Sequence, residues 1–153
     1  MRTMQPSNPW KSYRQIATQT APPGQLVLML FDGALKSLNC ALAGFNVTDI
    51  CERNTSIHNN LQRASDIIRE LNYSLDLDAG GQLAETLRNL YEYFEKRISE
   101  SNVKKSPAGI HEIIPMLKEL RDAWYAMLHQ QDAADVSLAP SPDRLPSARY
   151  ANA

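Results

Sequence analysis

The chain has 153 residues, a formal net charge of −1 and 43% hydrophobic residues. This length is enough for one domain with its own core, and a near-zero charge with scattered Lys and Arg gives no electrostatic basis for nucleic-acid binding. Two cysteines are too few for a disulfide framework, and the first residues lack the apolar stretch of a secretory signal, so we expect a cytoplasmic protein.

The first 24 residues are predicted to form an arm ahead of the main body. Asn8 and Pro9 match a helix N-cap followed by proline in the first turn. A short apolar stripe follows, and a helix of this length is unstable alone in water. The helix-breaking sequence Pro-Pro-Gly at residues 22–24 then separates the arm from the main body. Because its stripe needs something to dock on, we expect the arm to bind a partner through Trp10, Tyr13 and Ile16. The alternatives are that the arm caps the bundle, or that it is a lid over the partner's groove until it is displaced.

Residues 25–45, QLVLMLFDGALKSLNCALAGF, predict a helix that is too apolar for a single buried face. Only Asp32 and Lys36 are charged, and their i, i+4 spacing suits a solvated pair. Charges in mid-segment argue against a membrane span. A bundle helix normally buries about three positions in seven, so an apolar surplus remains. We expect a partner or the arm to cover this surplus, which includes Leu28, Phe31, Leu35 and Leu42.

Three further helices follow, each with an apolar stripe at three- and four-residue steps. The stripe of the second helix contains Ile50, Ile57, Leu61, Ala64, Ile68, Leu71 and Leu75. The stripe of the third contains Leu83, Leu87, Leu90, Tyr91, Phe94 and Ile98. The stripe of the fourth contains Ile110, Ile113, Ile114, Leu117, Leu120, Trp124 and Leu128.

Breakers and turns mark the ends of these helices. A turn with two glycines, Asp76–Gly81, is predicted between the second and third helices. Pro115 predicts a kink in the fourth helix, whose pattern stops after Gln131. Four long helices with short connections predict an all-α, antiparallel four-helix bundle over residues 25–131. Residues 132–153 contain three prolines and little to bury, so they are predicted to form a flexible tail.

Two tyrosines of the third helix are further candidates for partner binding. Tyr91 and Tyr93 lie about 200° apart around a helix, so they cannot both face inward with Phe94. At least one must be exposed or lie at the edge of a groove, and tyrosine is a common anchor in partner pockets. We therefore add Tyr91 and Tyr93 to the candidate partner-binding residues.

The sequence gives little support for an enzyme, a metal site or a cofactor. His58, His111 and His129 have no Glu three residues before them, so the Glu-x-x-His motif of a di-iron bundle is absent. The chain also lacks a Gly-x-x-x-x-Gly-Lys phosphate loop and a serine in a nucleophile elbow. We expect no catalysis, no metal and no cofactor.

Four stretches, in order, resemble the bacterial flagellar export chaperones of the FliS family. NPWKSY resembles its Asn-Pro-Tyr-x-x-Tyr opening, and APPGQLVLMLFDGALKSL is similar to its Pro-x-x-Leu-x-x-Met-Leu-Tyr-Asp-Gly-Ala segment. LNYSLDLDAGGQLAETLRNLYEYFEKRI and LKELRDAWYAM resemble its Gly-Gly block and its Leu-Arg-x-x-Trp close. Trp10 and Phe31 stand where tyrosines are usual, and Pro115 interrupts a helix that is normally continuous.

The resemblance implies a cytosolic chaperone that binds the C-terminal segment of flagellin. Such a chaperone prevents premature polymerisation and aids delivery to the flagellar type III export apparatus, with a component of the export gate as a further partner. We expect no nucleic acid, no membrane insertion, and a monomer or weak homodimer. The alternative is a structural helical adaptor of a secretion complex that never holds flagellin, which a permanent partner copurifying at fixed stoichiometry would reveal.

Overall fold

The computed structural model describes residues 23–138, with side chains described over 23–130. Neighbouring helices in the chain pack on each other, and the last also packs on the first, so the helices form a closed ring. The described residues contain no strand, and the predicted all-α four-helix bundle is confirmed. The arm residues Trp10, Tyr13 and Ile16 lie outside the described residues. The helices are α1 (Pro23–Gly44), α2 (Ile50–Tyr73), α3 (Leu77–Lys104) and α4 (Ala108–Leu138).

One side of α1 carries large apolar residues and faces α4. Gly24 and Asp32 both contact α4, through Leu128 and Arg121 respectively. Residues three or four positions apart share a helix face. The same face as Gly24 therefore contains Leu28, Phe31, Leu35, Leu38 and Leu42.

The other side of α1 carries small residues and faces α2. Its buried members are Ala34, Ser37, Ala41 and Gly44. A Cβ added at Gly44 would lie 3.1 Å from Ser56 Oγ and 3.3 Å from an Ile57 side-chain carbon. Small side chains on this face therefore let α2 approach α1 closely. Helix α1 is apolar on two sides because it packs on two neighbouring helices.

The residues of the predicted apolar surplus of α1 differ in how far they are buried. Leu28 is 4% exposed and Phe31 is 3% exposed, so both are buried, and Phe31 belongs to the core cluster of the bundle. Leu35 and Leu42 are partly buried and pack against the same core. The expectation that a partner or the arm covers the apolar surplus of α1 stays a prediction, because residues 1–22 lie outside the described residues.

By length and composition alone, α1 could also cross a membrane. In the structure its apolar faces are instead occupied by α2 and α4. Asp32 and Lys36 lie on the remaining exposed face, and the Asp32 carboxylate accepts a hydrogen bond from Arg121. Helix α1 thus packs as one of the four helices of the bundle.

The second helix follows its predicted stripe except at its first residue. The side chain of Asp49 caps α2 by accepting a hydrogen bond from the backbone of Glu52 at 2.9 Å. Ile50 is 59% exposed, so its predicted place in the core is wrong. It begins the helix, beyond the length of α2 that the neighbouring helices cover. The core positions of α2 are Ile57, Leu61, Ala64, Ile67, Ile68 and Leu71.

A glycine break separates the first turn of α3 from the rest of the helix. Asp76 caps this turn by accepting hydrogen bonds from the backbone of Asp78 and Ala79. Gly81 has φ 55° and ψ −132°, a conformation essentially restricted to glycine. The predicted positive φ is confirmed, but the predicted turn is partly helical. Leu83, just after the break, is 70% exposed, so its predicted core position is wrong.

The fourth helix is longer than predicted. It continues through Pro115 and past Gln131 to Leu138, because Ala133 and Ala134 favour helix. Its end falls shortly before Pro140, and the residue before a proline disfavours helical geometry. The fully buried residues near its start are Ile110, Ile113 and Leu117.

Candidate functional site

The N-terminal half of α4 is attached to α3. Glu112 accepts a hydrogen bond from the Tyr93 hydroxyl and pairs with the Arg97 guanidinium at 2.8 and 2.7 Å. A Cβ added at Gly109 would lie 2.5 Å from Ser101 Oγ and 3.0 Å from the Arg97 carbonyl oxygen. This close approach and the polar cluster hold the two helices together where α3 ends and α4 begins.

The C-terminal half of α4 is attached to α1 instead. Arg121 Nε donates to Asp32 Oδ1 at 2.8 Å. The indole Nε1 of Trp124 donates to the backbone carbonyl of Gly24 at 2.9 Å. Leu128 packs directly on Gly24, where an added Cβ would lie 2.5 Å from its Cδ2. The specific side-chain contacts of α4 thus join it to α3 near its start and to α1 further along.

A partly exposed apolar surface lies between α3 and α4 beyond the last of their polar contacts. Between residues 77–92 of α3 and residues 113–130 of α4, the structure contains no side-chain hydrogen bond or ion pair. Because the two helices are antiparallel, these stretches lie opposite each other. We call this surface the open α3–α4 seam and define it by Leu83, Leu87, Leu90, Leu120, Trp124 and Met127.

Exposure along the two helices marks the seam. Phe94 and Ile113, at the joined end, are fully buried. Leu87, Leu90, Leu120 and Trp124 are only partly buried. Leu83 is 70% exposed and Met127 is 38% exposed. Along these two rows, apolar side chains thus become more accessible with distance from the Glu112 cluster.

The two candidate tyrosines of α3 separate into a core residue and a surface residue. Tyr91 is 3% exposed and its ring centroid lies 6.5 Å from that of Phe94; burial raises the pKa of its hydroxyl to about 12. Tyr93 is 37% exposed, and its hydrogen bond to Glu112 raises its pKa. The prediction that at least one of them is exposed is confirmed by Tyr93, which lies at the joined end of the open α3–α4 seam.

The three histidines lie apart and have separate surroundings. His58 Nδ1 lies 2.9 Å from the Asn102 amide, and the rings of His129 and Tyr125 stack with centroids 3.9 Å apart. His111 is exposed near the start of α4. Among residues 23–130, no three His, Cys, Asp or Glu side chains are grouped closely enough to hold a metal ion.

Two open hollows on other faces have a different character. One, of about 420 Å³, lies between α2 and α3 and is lined mainly by polar side chains that include Ser65, Arg69 and Glu95. The other, of about 630 Å³, lies beside Gly81 and includes Asp78 and Glu85. Because polar groups dominate both, neither offers the apolar surface of the seam.

The sequence did not single out the seam as a binding surface. It placed all of the seam residues except Met127 in the core, since their spacing matches that of truly buried positions. Met127 was missed altogether. The available signal was a flexible methionine beside Trp124, a combination common on adaptable binding surfaces.

Comparison with known proteins identifies the family. The family described as "Flagellar protein FliS" matches residues 6–131. The "Flagellar secretion chaperone FliS" of Bacillus subtilis (strain 168) is 32% identical over 76% of this chain and 84% of its own length. The protein of the same name from Salmonella typhimurium is 32% identical over 74% of this chain and 85% of its own. "Flagellar secretion chaperone FliSB" of Pseudomonas aeruginosa is 30% identical over 78% of this chain and 94% of its own length.

Proposed function

The chain belongs to the FliS family of flagellar proteins, and on that premise we propose that it is a cytosolic secretion chaperone that binds the C-terminal helical segment of flagellin. In this proposal, the chaperone prevents premature polymerisation of flagellin and aids its delivery to the flagellar type III export apparatus. A component of the export gate is the proposed further partner, and catalysis has no part in the function.

The open α3–α4 seam is the observation that carries this proposal. A helical client binds by laying an apolar face, repeated every three or four residues, into a groove between helices. Leu83, Leu87 and Leu90 present such a row on α3, and Leu120, Trp124 and Met127 present another on α4. At 1.5 Å per residue, Leu83 to Leu90 spans about 10 Å, which suits about two turns of a client helix.

The binding residues of the proposal follow from this placement. Tyr93 lies at one end of the seam, and we retain it together with the arm residues Trp10, Tyr13 and Ile16. Leu35 and Leu42 are only partly buried and remain secondary candidates. Leu28, Phe31 and Tyr91 support the proposed site from within the core.

Exposed leucine and methionine at the seam allow a direct test. Burying a large apolar side chain contributes about 1.5–3 kcal/mol, and 1.4 kcal/mol is about tenfold in affinity. The double variant Leu83→Ser with Met127→Ser should therefore bind a flagellin C-terminal peptide at least about tenfold more weakly. The matched control, Ile50→Ser with Val103→Ser, changes two exposed apolar residues outside the seam and should bind normally.

Calorimetry and circular dichroism give a second readout of the same complex. Apolar burial coupled to folding of the client should produce a negative heat-capacity change and more helix than the sum of the separate spectra. Additive spectra, or equal losses in the two double variants, would contradict the proposed site. Failure of wild type to bind any flagellin fragment, with another protein copurifying at fixed stoichiometry, would identify the structural adaptor instead.

A further inference from the structure

The contacts between α4 and α1 control how α4 sits beside α3. Arg121 and Leu128 lie on the same face of α4 as Trp124, because Arg121 is three residues before it and Leu128 is four residues after it. Trp124 and Leu128 contact Gly24, and Arg121 contacts Asp32. These contacts hold the C-terminal half of α4 on α1.

Without these contacts the seam would tend to close. Leu83 and Met127 are exposed on opposite sides of the seam, and burying them against each other would remove apolar surface from water. The hydrophobic effect therefore draws this half of α4 towards α3. The opposing attraction comes from the contacts to α1, so the width of the seam depends on them.

The indole N–H of Trp124 is the most specific of these contacts. An indole can only donate a hydrogen bond, and here it donates to a backbone carbonyl in the first turn of α1, at 2.9 Å. Arg121, by contrast, is shared between Asp32 and Asp122. Leu128 makes an apolar contact that has no directional preference.

We propose that Trp124 is a positioning residue that keeps the open α3–α4 seam accessible by hydrogen bonding to the Gly24 carbonyl. Its effect on seam width is a property of the free protein. Its effect on client affinity rests on the proposed function, in which the seam receives the flagellin segment.

The inference is tested by measuring the distance between two spin labels placed across the seam, in the full chain and without a client. Labels at Thr86→Cys and Ala123→Cys, both exposed positions on either side of the seam, report its width. Exposed Cys40 and Cys51 are first replaced by serine. Labels at Arg63→Cys and Lys96→Cys, exposed on α2 and α3, form a reference pair that Trp124 does not touch.

Trp124→Phe keeps an aromatic ring but removes the donor. We expect it to shorten and broaden the distance across the seam while the reference distance stays unchanged. Tyr125→Phe, the adjacent aromatic residue with no bond to α1, is the matched control and should leave both distances unchanged. Leu128→Ala removes the second contact to Gly24 and should change the seam distance in the same direction. This variant tests the inference independently if Trp124→Phe fails to fold.

An unchanged seam distance in both Trp124→Phe and Leu128→Ala would overturn the inference, as would an equal change in the reference distance. Affinity for the flagellin peptide is then measured separately. We expect a loss of about twofold to tenfold for Trp124→Phe, the range for one net hydrogen bond. A changed seam distance with unaltered affinity would support the positioning role of Trp124 and count against the seam as the flagellin site.

Discussion

Arg121 of α4 and Asp32 of α1 form an ion pair whose Nε–Oδ1 distance is 2.8 Å, and this pair joins the last helix of the bundle to the first. The Asp32 side chain is half exposed, and the Arg121 guanidinium also lies 5.0 Å above the Tyr125 ring. Asp32 follows Phe31 directly, so the charged partner of α4 is adjacent to a buried aromatic residue. The pair therefore lies at the boundary between the core and solvent.

Removing this ion pair should have a small, salt-dependent effect. Partly exposed pairs contribute about 0–1 kcal/mol, so Asp32→Ala should lower the free energy of unfolding by no more than that. The loss should shrink in about 1 M salt, where the Debye length is about 3 Å. Urea denaturation at low and high salt measures both effects. Asp122→Ala, which removes a contact to Arg121 within α4, is the control, and an equal loss there would show that joining the helices adds nothing.

A pair of leucines distinguishes core from seam. Leu61 is fully buried and Leu83 is 70% exposed, although the sequence places both in helical stripes. Leu61→Ala should cost about 2–5 kcal/mol of unfolding free energy, as buried leucines do. Leu83→Ala should cost no more than about 0.5 kcal/mol, as for ordinary surface changes. Chemical denaturation of both variants measures this, and comparable losses would contradict the open seam.

Alkaline pH should weaken the bundle through Tyr91. Burial raises the pKa of its hydroxyl from 10.0 to about 12, so the folded state favours the protonated form. The unfolded chain loses this proton at lower pH, and stability falls as pH rises from 10.0 towards 12. At the upper end of this pH window, the raised pKa of Tyr91 corresponds to a loss of about 2–3 kcal/mol in the free energy of unfolding.

Tyr91→Phe keeps the buried ring and removes the titrating hydroxyl. Its unfolding free energy should therefore fall less steeply than that of wild type across this alkaline window, as measured by denaturation at a series of pH values. Tyr93→Phe is a comparison at a half-exposed tyrosine of the same helix. Parallel pH curves for wild type and Tyr91→Phe would be incompatible with the burial effect.

Acid should weaken the contact between α3 and α4. The hydrogen bond from Tyr93, followed by the interactions with Arg97, lowers the pKa of Glu112. A lowered folded-state pKa contributes stability that is present above the unfolded-state value and is lost as pH falls through the folded-state value. Glu112→Gln should therefore flatten the acid side of the melting-temperature profile. Glu119→Gln, an exposed glutamate further along α4, should leave the profile unchanged; identical profiles for Glu112→Gln and wild type would refute this role of Glu112.

The arm should contribute to client binding. Truncating an aromatic anchor typically costs about 2 kcal/mol or more of binding free energy. Trp10→Ala with Tyr13→Ala should therefore weaken affinity for a flagellin C-terminal peptide by about thirtyfold or more, with a melting temperature within a few degrees of wild type. Isothermal calorimetry and thermal melting measure the two quantities. Tighter binding would indicate that the arm blocks the site, and a large loss of stability would indicate that it caps the bundle.

Much of the bundle could be predicted from periodicity and helix-ending residues. Ile57, Leu61 and Phe94 recur at the spacing of a buried stripe, and the structure buries them. Gly81 follows a second glycine in an acidic turn, and its positive φ is the conformation that this composition predicts. These features depend on residues close together in the chain, and for that reason they are visible without a structure.

Only the tertiary structure decided which apolar residues are covered. Leu61 and Leu83 look alike in their stripes, yet Leu61 is fully buried and Leu83 is 70% exposed. Periodicity shows which face of a helix is apolar, whereas burial depends on the position of the neighbouring helix. That position is set by contacts between distant residues, such as Trp124 with Gly24, which no local pattern encodes.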